Sequence, residues 1–244
     1  MKKYLLICLC ILFPAHVWGA PAGGNMMDVD VDPFDKESLQ RGAQLFANYC
    51  MACHEAHLIR YNRIGQDLGL DDELVEKYLI FKPGAQLFDG MTNAMTDEDA
   101  EEWFGAPAPD LSLTARRHGP RYIYTFLNAF YEDEDAPLGV NNLVISGTSM
   151  PHVLEELQGL PIAVREEIEG AEQITELKVD DDRAGLMSAS EYRAATRDLT
   201  NFLDYVAEPI KAERRRLGVR VLIFLFLFLI VAYLLKREYW KDVH

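Results

Sequence analysis

Cys50-Met-Ala-Cys-His54 places two thiols and an imidazole within five positions of this 244-residue chain. Two cysteines separated by two residues and followed directly by a histidine are the attachment signature of c-type haem, in which the thiols add to the two vinyl groups and the imidazole reaches the iron. A helical turn brings both sulfurs to one side of the macrocycle and places the ring of His54 beneath the metal. We therefore predict one covalent haem c, attached through Cys50 and Cys53 and ligated by His54.

Two other uses of paired cysteines fit the sequence less well. A redox-active dithiol is disfavoured because no thioredoxin-like pattern accompanies the pair. A zinc site would need about four ligands, and no second cysteine pair completes one. Cys8 and Cys10 lie in an N-terminal segment that we expect to be removed, so the mature chain offers no disulfide framework.

The N-terminal segment has the layout of a secretory signal. Two lysines precede an apolar run over residues 4–13, and small residues follow around positions 19–22. An uncleaved anchor helix is the alternative, but Pro14 interrupts a run that is already shorter than the roughly 20 residues a bilayer requires. We predict a signal peptide over residues 1–20, with cleavage within 19–22.

Near the C-terminus, residues 217–235 are almost wholly apolar. These 19 residues, at about 1.5 Å each, nearly cover the hydrocarbon thickness of a bilayer. A buried core helix is disfavoured because the run has no polar face between Val221 and Ala232. We predict a transmembrane anchor over 217–235, after a basic juxtamembrane segment at 210–216 and before a tail at 236–244.

The orientation of this anchor needs a separate argument. More basic residues precede the span than follow it, so the positive-inside rule weakly favours placing the preceding segment in the cytoplasm. A signal peptide instead commits the chain to export until a stop-transfer segment arrives, and it outweighs this modest charge bias. We therefore predict a periplasmic haem domain over residues 21–209 and a cytoplasmic tail.

The composition narrows the classes of function. Hydrophobic residues make up 49% of the chain, which is ample for a packed core. The 39 acidic residues outnumber the 24 basic ones and give a formal net charge of -15. Binding to nucleic acid relies on clustered Lys and Arg, so that role is disfavoured and a cationic partner fits better.

The sixth ligand of the iron decides whether the haem carries electrons or catalyses a reaction. An occupied sixth position leaves oxygen or peroxide nowhere to bind. Met150 stands apart, since it lies in a loop-like segment, 146–151, in which Pro151 stiffens the backbone. A methionine is more often core filling, so each candidate alone is weak. The other methionine and histidine candidates downstream of the motif are Met91, Met95, Met187, His57, His118 and His152.

Apolar periodicity predicts a mainly α fold. The helices are expected over 38–49, over 71–81, over 96–104 with Thr96 and Asp99 in a capping box, from Pro120, and after a capping box of Ser188 and Glu191. We expect Gly42 to permit a close helix crossing. In the second helix, Leu74, Tyr78 and Leu79 are expected to face inward, and the helix from Pro120 is expected to run as far as Phe130.

Two segments between the predicted helices suit contacts with a haem. Residues 106–110, Ala-Pro-Ala-Pro-Asp, are not compatible with a helix, and such a rigid strip can lie flat on a haem face, although a plain loop would look the same. Arg116 and Arg117 precede Pro120 and are suited to bidentate pairing with a haem propionate. A solvated surface arginine is the alternative for either residue.

Further motifs are spread over nearly the whole mature chain. They are Arg41-Gly42 before the haem motif, Tyr61-Asn-Arg63 before Asp67-Leu-Gly69, Pro109-Asp-Leu-Ser112 before Arg117-His-Gly119, Ser149-Met-Pro-His152, and Ala207-Glu-Pro209 before a single anchor. Together with the haem motif, they resemble the cytochrome c1 family in its bacterial form. Members of this family are the haem subunit of the cytochrome bc1 complex, ubiquinol:cytochrome c oxidoreductase.

The resemblance implies a cytochrome c-type haem domain with loop insertions, in which Met150 is the sixth ligand, Arg117 meets a propionate and Pro109 packs near the ring. This chain departs from the family in two places. It has Ala108-Pro109 where the family often has paired prolines. Arg116 also stands beside Arg117, which leaves open the guanidinium that reaches the propionate.

The function that the resemblance implies is an electron relay in the inner membrane of a bacterium. The haem would take one electron from the Rieske iron-sulfur protein and pass it to a soluble or membrane-bound cytochrome c. Cytochrome b and membrane lipid are the other expected partners, and the chain itself would transform no organic substrate. The rivals are an anchored c-type carrier of another respiratory complex, and a haem enzyme or sensor with an open sixth site.

Overall fold

A computed structural model describes residues 26–168 and 170–243 of the chain. The predicted signal peptide, residues 1–20, lies outside these described ranges. The mainly α class is confirmed, with one long helix at the C-terminal end. Short antiparallel strand pairs fill the connections between the helices.

The helices of the described ranges are short except for the last two. In chain order they are α1 (Lys36–Leu45), α2 (Tyr61–Leu68), α3 (Asp72–Tyr78), α4 (Asp97–Phe104), α5 (Thr114–His118), α6 (Pro120–Leu127), α7 (Glu155–Gln158), α8 (Ala189–Ala207) and α9 (Lys211–Tyr239). A π-helical turn over Phe46–Cys50 follows α1, and 3-10 turns lie at Asp181–Arg183 and Lys241–Val243.

Within the described ranges, the strands form three separate antiparallel pairs. They are β1 (Ala56–Arg60) with β2 (Gly90–Met91), β3 (Phe130–Glu132) with β4 (Val140–Asn142), and β5 (Ile162–Ile168) with β6 (Ala171–Lys178). The first pair follows the haem motif directly, so β1 fixes the path of the chain as it leaves His54.

The core is built where α1 crosses α8. An added Cβ at Gly42 would lie 2.6 Å from the Cβ of Phe202 and closer still to the backbone carbonyl of Asp198, so the two backbones meet at this glycine. The rings of Phe46 and Phe202, both fully buried, pack beside the crossing with their centroids 5.6 Å apart. The predicted close crossing at Gly42 is confirmed.

A buried polar cluster lies at the same crossing and joins α1 to α8 by hydrogen bonds. The carboxylate of Asp198, 5% exposed, accepts hydrogen bonds from Arg41 Nε at 2.5 Å and from Ser38 Oγ at 2.7 Å. Asn201 Nδ2 in turn donates to Ser38 Oγ at 3.0 Å. A buried carboxylate is tolerated where charge-assisted hydrogen bonds compensate its desolvation, so this cluster explains why arginine precedes Gly42.

The interior face predicted for α3 is wrong in two of its three residues. Leu74 and Tyr78 are 41% and 45% exposed, whereas Leu79 is buried as expected, together with Val75. The helix ends at Tyr78, three residues earlier than predicted, and Val75 packs against the small residue Gly65 of α2. The row of positions 75 and 79 therefore faces the core, and the row of 74 and 78 faces solvent.

The helix that starts at Pro120 ends earlier than predicted. It stops at Leu127, and Phe130 lies in strand β3, where it is 1% exposed. The apolar pattern over these eleven positions therefore belongs partly to a two-turn helix and partly to the strand that follows it. The helical segment predicted over 38–49 is confirmed, because α1 continues directly into the π-helical turn over Phe46–Cys50.

The β5–β6 hairpin was not anticipated. Its register runs from Ile162 opposite Lys178 to Ile168 opposite Ala171, with Gly170 at a φ of 82° in the turn. Most side chains of both strands are exposed. The β-branched residues over 162–174 and the turn glycine were the available signal in the sequence.

Two predicted helix starts are confirmed, those of α4 and α8. Ser188 and Glu191 form a reciprocal capping box at the start of α8, and Thr96 accepts a hydrogen bond from the Asp99 backbone N–H at the start of α4. Pro209 separates α8 from α9. By length and composition, α9 is able to cross a membrane, and it contains the predicted span 217–235.

Candidate haem site

The motif is held in a tight turn at the end of the π-helical segment. The backbone N–H groups of Cys53 and His54 donate to the carbonyl of Cys50 at 3.1 and 2.8 Å. Cys50 is 6% exposed and Cys53 is half-buried. The two thiols and the imidazole thus lie within one turn of backbone, as thioether attachment requires.

Burial raises the pKa of both thiols, that of Cys50 to about 12. The reactive form of a cysteine is the thiolate, and redox-active dithiols lie where neighbouring charges lower the thiol pKa. The environment of Cys50 acts in the opposite direction. The burial of Cys50 is therefore not typical of a redox-active dithiol.

His54 makes a hydrogen bond that fixes its ring. Its Nδ1 lies 2.8 Å from the carbonyl oxygen of Pro109, and a carbonyl accepts only from Nδ1–H. This tautomer leaves Nε2 without a proton. Burial lowers the pKa of His54, against smaller raising effects of the Pro109 carbonyl and Asp110, so the neutral ring is favoured. A neutral imidazole whose second nitrogen donates to a backbone carbonyl is the usual metal-ligating form.

The segment that carries Pro109 is positioned by hydrogen bonds of the two residues that follow it. Residues 106–110 are not helical, as predicted. Immediately afterwards, Leu111 N–H donates to the carbonyl of Glu55 at 2.7 Å, and Ser112 Oγ accepts from Leu58 N–H at 3.1 Å. These bonds hold the Pro109 segment alongside the residues that leave the haem motif.

Arg116 and Arg117 both lie in α5 with exposed side chains. The short helix follows the Pro109 segment and precedes α6. The structure distinguishes neither as the propionate partner. His118, at the end of α5, stacks on Tyr122 with ring centroids 4.6 Å apart.

The candidates for the sixth ligand have different environments. Met91 is fully buried in strand β2, where it is part of the core. Met95, Met150 and Met187 are partly buried, and Met187 packs against the core. Among the histidines, His57 and His118 are exposed, whereas His152 is buried.

Met150 lies in a loop that is held by hydrogen bonds between residues close in sequence. Its N–H donates to Thr148 Oγ1 at 3.3 Å, and Gly147 N–H donates to Asn141 Oδ1 at 2.9 Å. Gly147 has a φ of 71°, a conformation that favours glycine. The loop is therefore tied to strand β4, and no helix contains Met150, in agreement with the sequence pattern.

A row of aromatic rings links α5, α6 and the Met150 loop. Successive ring centroids are 4.6, 6.4, 5.1 and 4.9 Å apart. The members, which we call the aromatic row, are His118, Tyr122, Phe126, Phe130 and His152. Sequence analysis missed this row as a unit, although its first four members recur every fourth residue, the spacing of one helical face.

The residues present fit a c-type haem. The donor set consists of two thiols in one turn and a neutral imidazole with a bare Nε2, and a partly buried thioether sulfur is available in a loop. Apolar side chains of the adjoining segments are left exposed, namely Leu113, Leu143 and Ile145 at 50%, 51% and 41%. A porphyrin needs such apolar cover, and free surface of this kind is otherwise unfavourable.

The fold and these groups define a class: a helical haem-binding domain joined to one apolar helix. Comparison with protein families agrees, because residues 27–243 match the model described as the cytochrome C1 family. The chain is 44% identical to "Cytochrome c1" of Allochromatium vinosum over 250 residues, which cover 100% of both chains. It is 26% identical to the mitochondrial cytochrome c1 haem protein of Kluyveromyces lactis, over 93% of this chain and 78% of that one.

This chain belongs to the cytochrome c1 family, the haem subunit of the cytochrome bc1 complex. Membership implies a c-type haem and a place in electron transport, and the C-terminal apolar helix fits a transmembrane anchor. A further relative, 40% identical over 100% of this chain and 99% of its own length, is named "Ammonia monooxygenase gamma subunit" in Nitrosomonas europaea.

Proposed function

We propose that this chain relays single electrons from the Rieske iron-sulfur protein to a cytochrome c, through one haem attached covalently to Cys50 and Cys53. His54 and Met150 are the proposed axial ligands. When bound, the haem supplies a one-electron couple whose potential is raised by Met/His ligation. If His54 and Met150 both hold the iron, no ligand position would remain for oxygen or peroxide.

The observation that carries this proposal is the hydrogen bond between His54 Nδ1 and the carbonyl of Pro109, at 2.8 Å. It presents Nε2 in the form that binds a metal, and it fixes the ring orientation from behind. A histidine that merely filled space would not need this tautomer. The bond also gives Pro109 its proposed role, in which its segment supports the imidazole and lies beside the haem.

Arg117 is proposed to pair with a haem propionate, and Arg116 is its neighbouring alternative. Both guanidinium groups are exposed, so either is free to swing towards a carboxylate. Arginine pairs with carboxylates in a bidentate geometry that lysine does not reproduce. Arg117→Lys should therefore lower the reduction potential if Arg117 is the partner, and Arg116→Lys is the matched control.

The proposed topology places residues 21–209 in the periplasm, with 210–216 at the membrane surface, 217–235 in the bilayer and 236–244 in the cytoplasm of a bacterial cell. A cleaved signal peptide at 1–20 accounts for export. Near the proposed surface, Lys211 pairs with Asp204 and Arg214 with Glu208, so the base of α9 is fastened to the haem domain. The anchor would hold the haem where a mobile iron-sulfur domain can reach it.

Axial ligation is tested by absorption spectroscopy of the purified membrane protein. Ferric wild type should show the weak near-infrared band of a methionine–iron bond, and Met150→Leu should lose it. Met187→Leu is a matched control that removes another partly buried methionine and should retain the band. A wild type without the band, or a Met150→Leu variant that keeps it, would favour the rival haem enzyme or sensor with an open sixth site.

Covalent attachment is tested with acidified acetone. The pigment should stay with the wild-type polypeptide, because two thioether bonds hold it. A variant with both Cys50→Ala and Cys53→Ala should release any haem that it retains. Extraction of the pigment from wild type would contradict the proposal.

Partners are tested by purification in mild detergent. Cytochrome b and the Rieske protein should co-migrate with the chain, and quinol should reduce its haem in that preparation. The relative named as a subunit of ammonia monooxygenase favours a second candidate, an anchored c-type carrier in another complex. Co-migration with monooxygenase or oxidase subunits, without cytochrome b, would support that alternative.

A further inference from the structure

Beside the haem motif lies a second group of metal-ligating side chains. Glu55, His57 and Asp110 each offer one ligand atom, and these atoms all lie within 4.8 Å of one another. We propose that the three residues form a binding site for one divalent transition-metal ion of the Zn²⁺ type, separate from the haem iron.

The backbone presents the three side chains to one another. Glu55 and His57 belong to one segment, which leaves the haem motif and enters β1, and their ligand atoms converge with that of Asp110. Asp110 lies on the facing segment, which is joined to the first by the bond from Leu111 N–H to the carbonyl of Glu55 at 2.7 Å. The cluster is therefore assembled by the fold and does not depend on chance proximity of long side chains.

Asp110 is held firmly by its own contacts. Its Oδ1 accepts from Ser112 N–H at 2.8 Å, and its Oδ2 accepts from His57 N–H at 2.9 Å. Hydrogen bonds to a ligating carboxylate orient it and are typical of metal sites. His57 Nδ1 lies 2.8 Å from the same Oδ2. Two ligands that share an ion at about 2.0–2.2 Å each stand roughly 3 Å apart, so this spacing needs little adjustment.

Ligand chemistry indicates the class of ion. One imidazole nitrogen and two carboxylates suit Zn²⁺ or a similar transition metal, whereas Mg²⁺ and Ca²⁺ prefer sites made of oxygen alone. Glu55 is the adaptable member, because its Oε1 accepts a single long bond of 3.3 Å from Asn93 N–H. The His57 side chain is 51% exposed and that of Asp110 is 28% exposed, so an ion and its remaining water ligands have access.

The alternative for these residues is a local ion pair of His57 with Asp110 that braces the loop. Such a pair accounts for the 2.8 Å contact, and it leaves the carboxylate of Glu55 with only its long bond from Asn93 N–H. A metal site requires all three side chains. The two interpretations therefore differ in what they predict for Glu55→Gln, a variant that leaves the pair of His57 and Asp110 intact.

The proposed metal site lies next to residues of the proposed haem site, so a bound cation would affect the reduction potential of the haem. Glu55 follows His54 directly, and Asp110 follows Pro109, whose carbonyl accepts the hydrogen bond of His54. A cation at the site would stand behind the proximal imidazole and favour the less positive, reduced haem. Binding would therefore raise the reduction potential. This coupling rests on the proposed haem ligation, whereas ion binding itself does not.

The test is calorimetric titration of the detergent-purified, haem-loaded full chain with ZnCl2 in a weakly coordinating buffer. Wild type should take up one ion, and Glu55→Gln and His57→Gln should each weaken that binding by more than about tenfold. Glu98→Gln, which removes an exposed carboxylate of α4, should bind as wild type does. An unchanged haem spectrum in each variant shows that the fold is retained.

Two results would overturn the metal site: no stoichiometric uptake by wild type, or equal affinity in wild type and Glu55→Gln. A parallel redox titration tests the coupling. Zn²⁺ should raise the midpoint potential of wild type and leave that of His57→Gln unchanged. Uptake of one ion with no shift in wild type would overturn the coupling, and failure of haem ligation itself would be visible separately in the near-infrared band.

Discussion

The ring of His152 lies almost parallel to that of Phe130, with centroids 4.9 Å apart and an angle of 11° between the planes. His152 is 6% exposed, and its Nε2 has no hydrogen-bond partner among the described residues. Burial lowers the pKa of His152 to about 4, so the ring is neutral at physiological pH. The neutral imidazole therefore stacks on Phe130 at the end of the aromatic row, two residues beyond Met150.

This stack predicts that His152 positions the Met150 loop. His152→Ala should remove the stacked ring, loosen the loop and weaken the proposed bond from Met150 to the iron. The near-infrared band should then be smaller and the midpoint potential lower. The truncation should also cost about 3 kcal/mol of stability, as for other buried rings. Absorption spectroscopy, redox titration and chemical denaturation of the purified chain measure these effects.

His152→Phe is the matched variant, because it keeps a ring in the stack and removes the unpartnered nitrogen. It should retain the band and the potential of wild type. If His152→Ala keeps both properties while losing stability, the stack is purely structural and the positioning role is wrong.

The close crossing at Gly42 predicts that a single added methyl group lowers the stability of the fold. In Gly42→Ala the new Cβ would stand 2.6 Å from Phe202 Cβ and closer to the Asp198 carbonyl, so α1 and α8 must separate. Overpacking of this kind costs about 3 kcal/mol, and it should reduce the yield of haem-loaded protein. Chemical denaturation followed by circular dichroism measures the loss.

The control is Gly218→Ala in α9, where no atom of the described part of the chain lies within 4 Å of the added Cβ. It should leave yield and denaturation midpoint unchanged, because alanine is at least as favourable as glycine within a helix. Equal behaviour of the two variants would contradict the close crossing.

Asp198 predicts a specific dependence of stability on pH. Burial alone would raise the pKa of this carboxyl group, but hydrogen bonds from Arg41, Ser38 and Arg197 lower it below its ordinary value. A carboxyl whose folded-state pKa is lowered contributes stability above its unfolded pKa of about 4, and this contribution is lost as the pH falls through the folded value. Wild type should therefore lose stability below about pH 4.

Asp198→Asn should remove this part of the acid sensitivity and cost about 2 kcal/mol at pH 7, because charge-assisted hydrogen bonds are replaced by neutral ones. Urea denaturation at a series of pH values measures both effects. Asp180→Asn is the control, since Asp180 pairs with the exposed Lys178 on the surface and should change stability by less than about 0.5 kcal/mol. An Asp198→Asn variant with the acid response of wild type would refute the assignment.

The parts of the fold that the sequence predicted correctly depend on local signals. A capping box specifies the start of α8, and a glycine followed by helical periodicity indicated the crossing at residue 42. The inward face of α3 was wrong because Val75 and Leu79 form as good an apolar row as Leu74 and Tyr78. The choice between these rows depends on Gly65, a contact from another helix that periodicity does not contain.

In the candidate site, too, the contiguous residues could be predicted from the sequence and the long-range contacts could not. Cys50, Cys53 and His54 are contiguous, so spacing alone brought them together as a hypothesis. The bond from His54 to Pro109 joins residues 55 positions apart, and the cluster of Glu55, His57 and Asp110 spans a similar separation. Such pairings arise from tertiary packing of two irregular segments, for which the sequence has no periodic signal.

The junction between the haem domain and the anchor provides the last prediction. Lys211 Nζ lies 2.5 Å from Asp204 Oδ2, and the two side chains are 17% and 9% exposed, so the pair is largely shielded from water. Asp204→Asn should leave the ammonium group of Lys211 without its partner and loosen the turn around Pro209. Backbone amides over 204–212 should then exchange with deuterium about tenfold faster, whereas the haem spectrum should not change. Arg214→Gln, which breaks the more exposed pair with Glu208, should accelerate exchange less. Equal exchange in wild type and Asp204→Asn would show that Pro209 and helix packing alone determine how the anchor is attached.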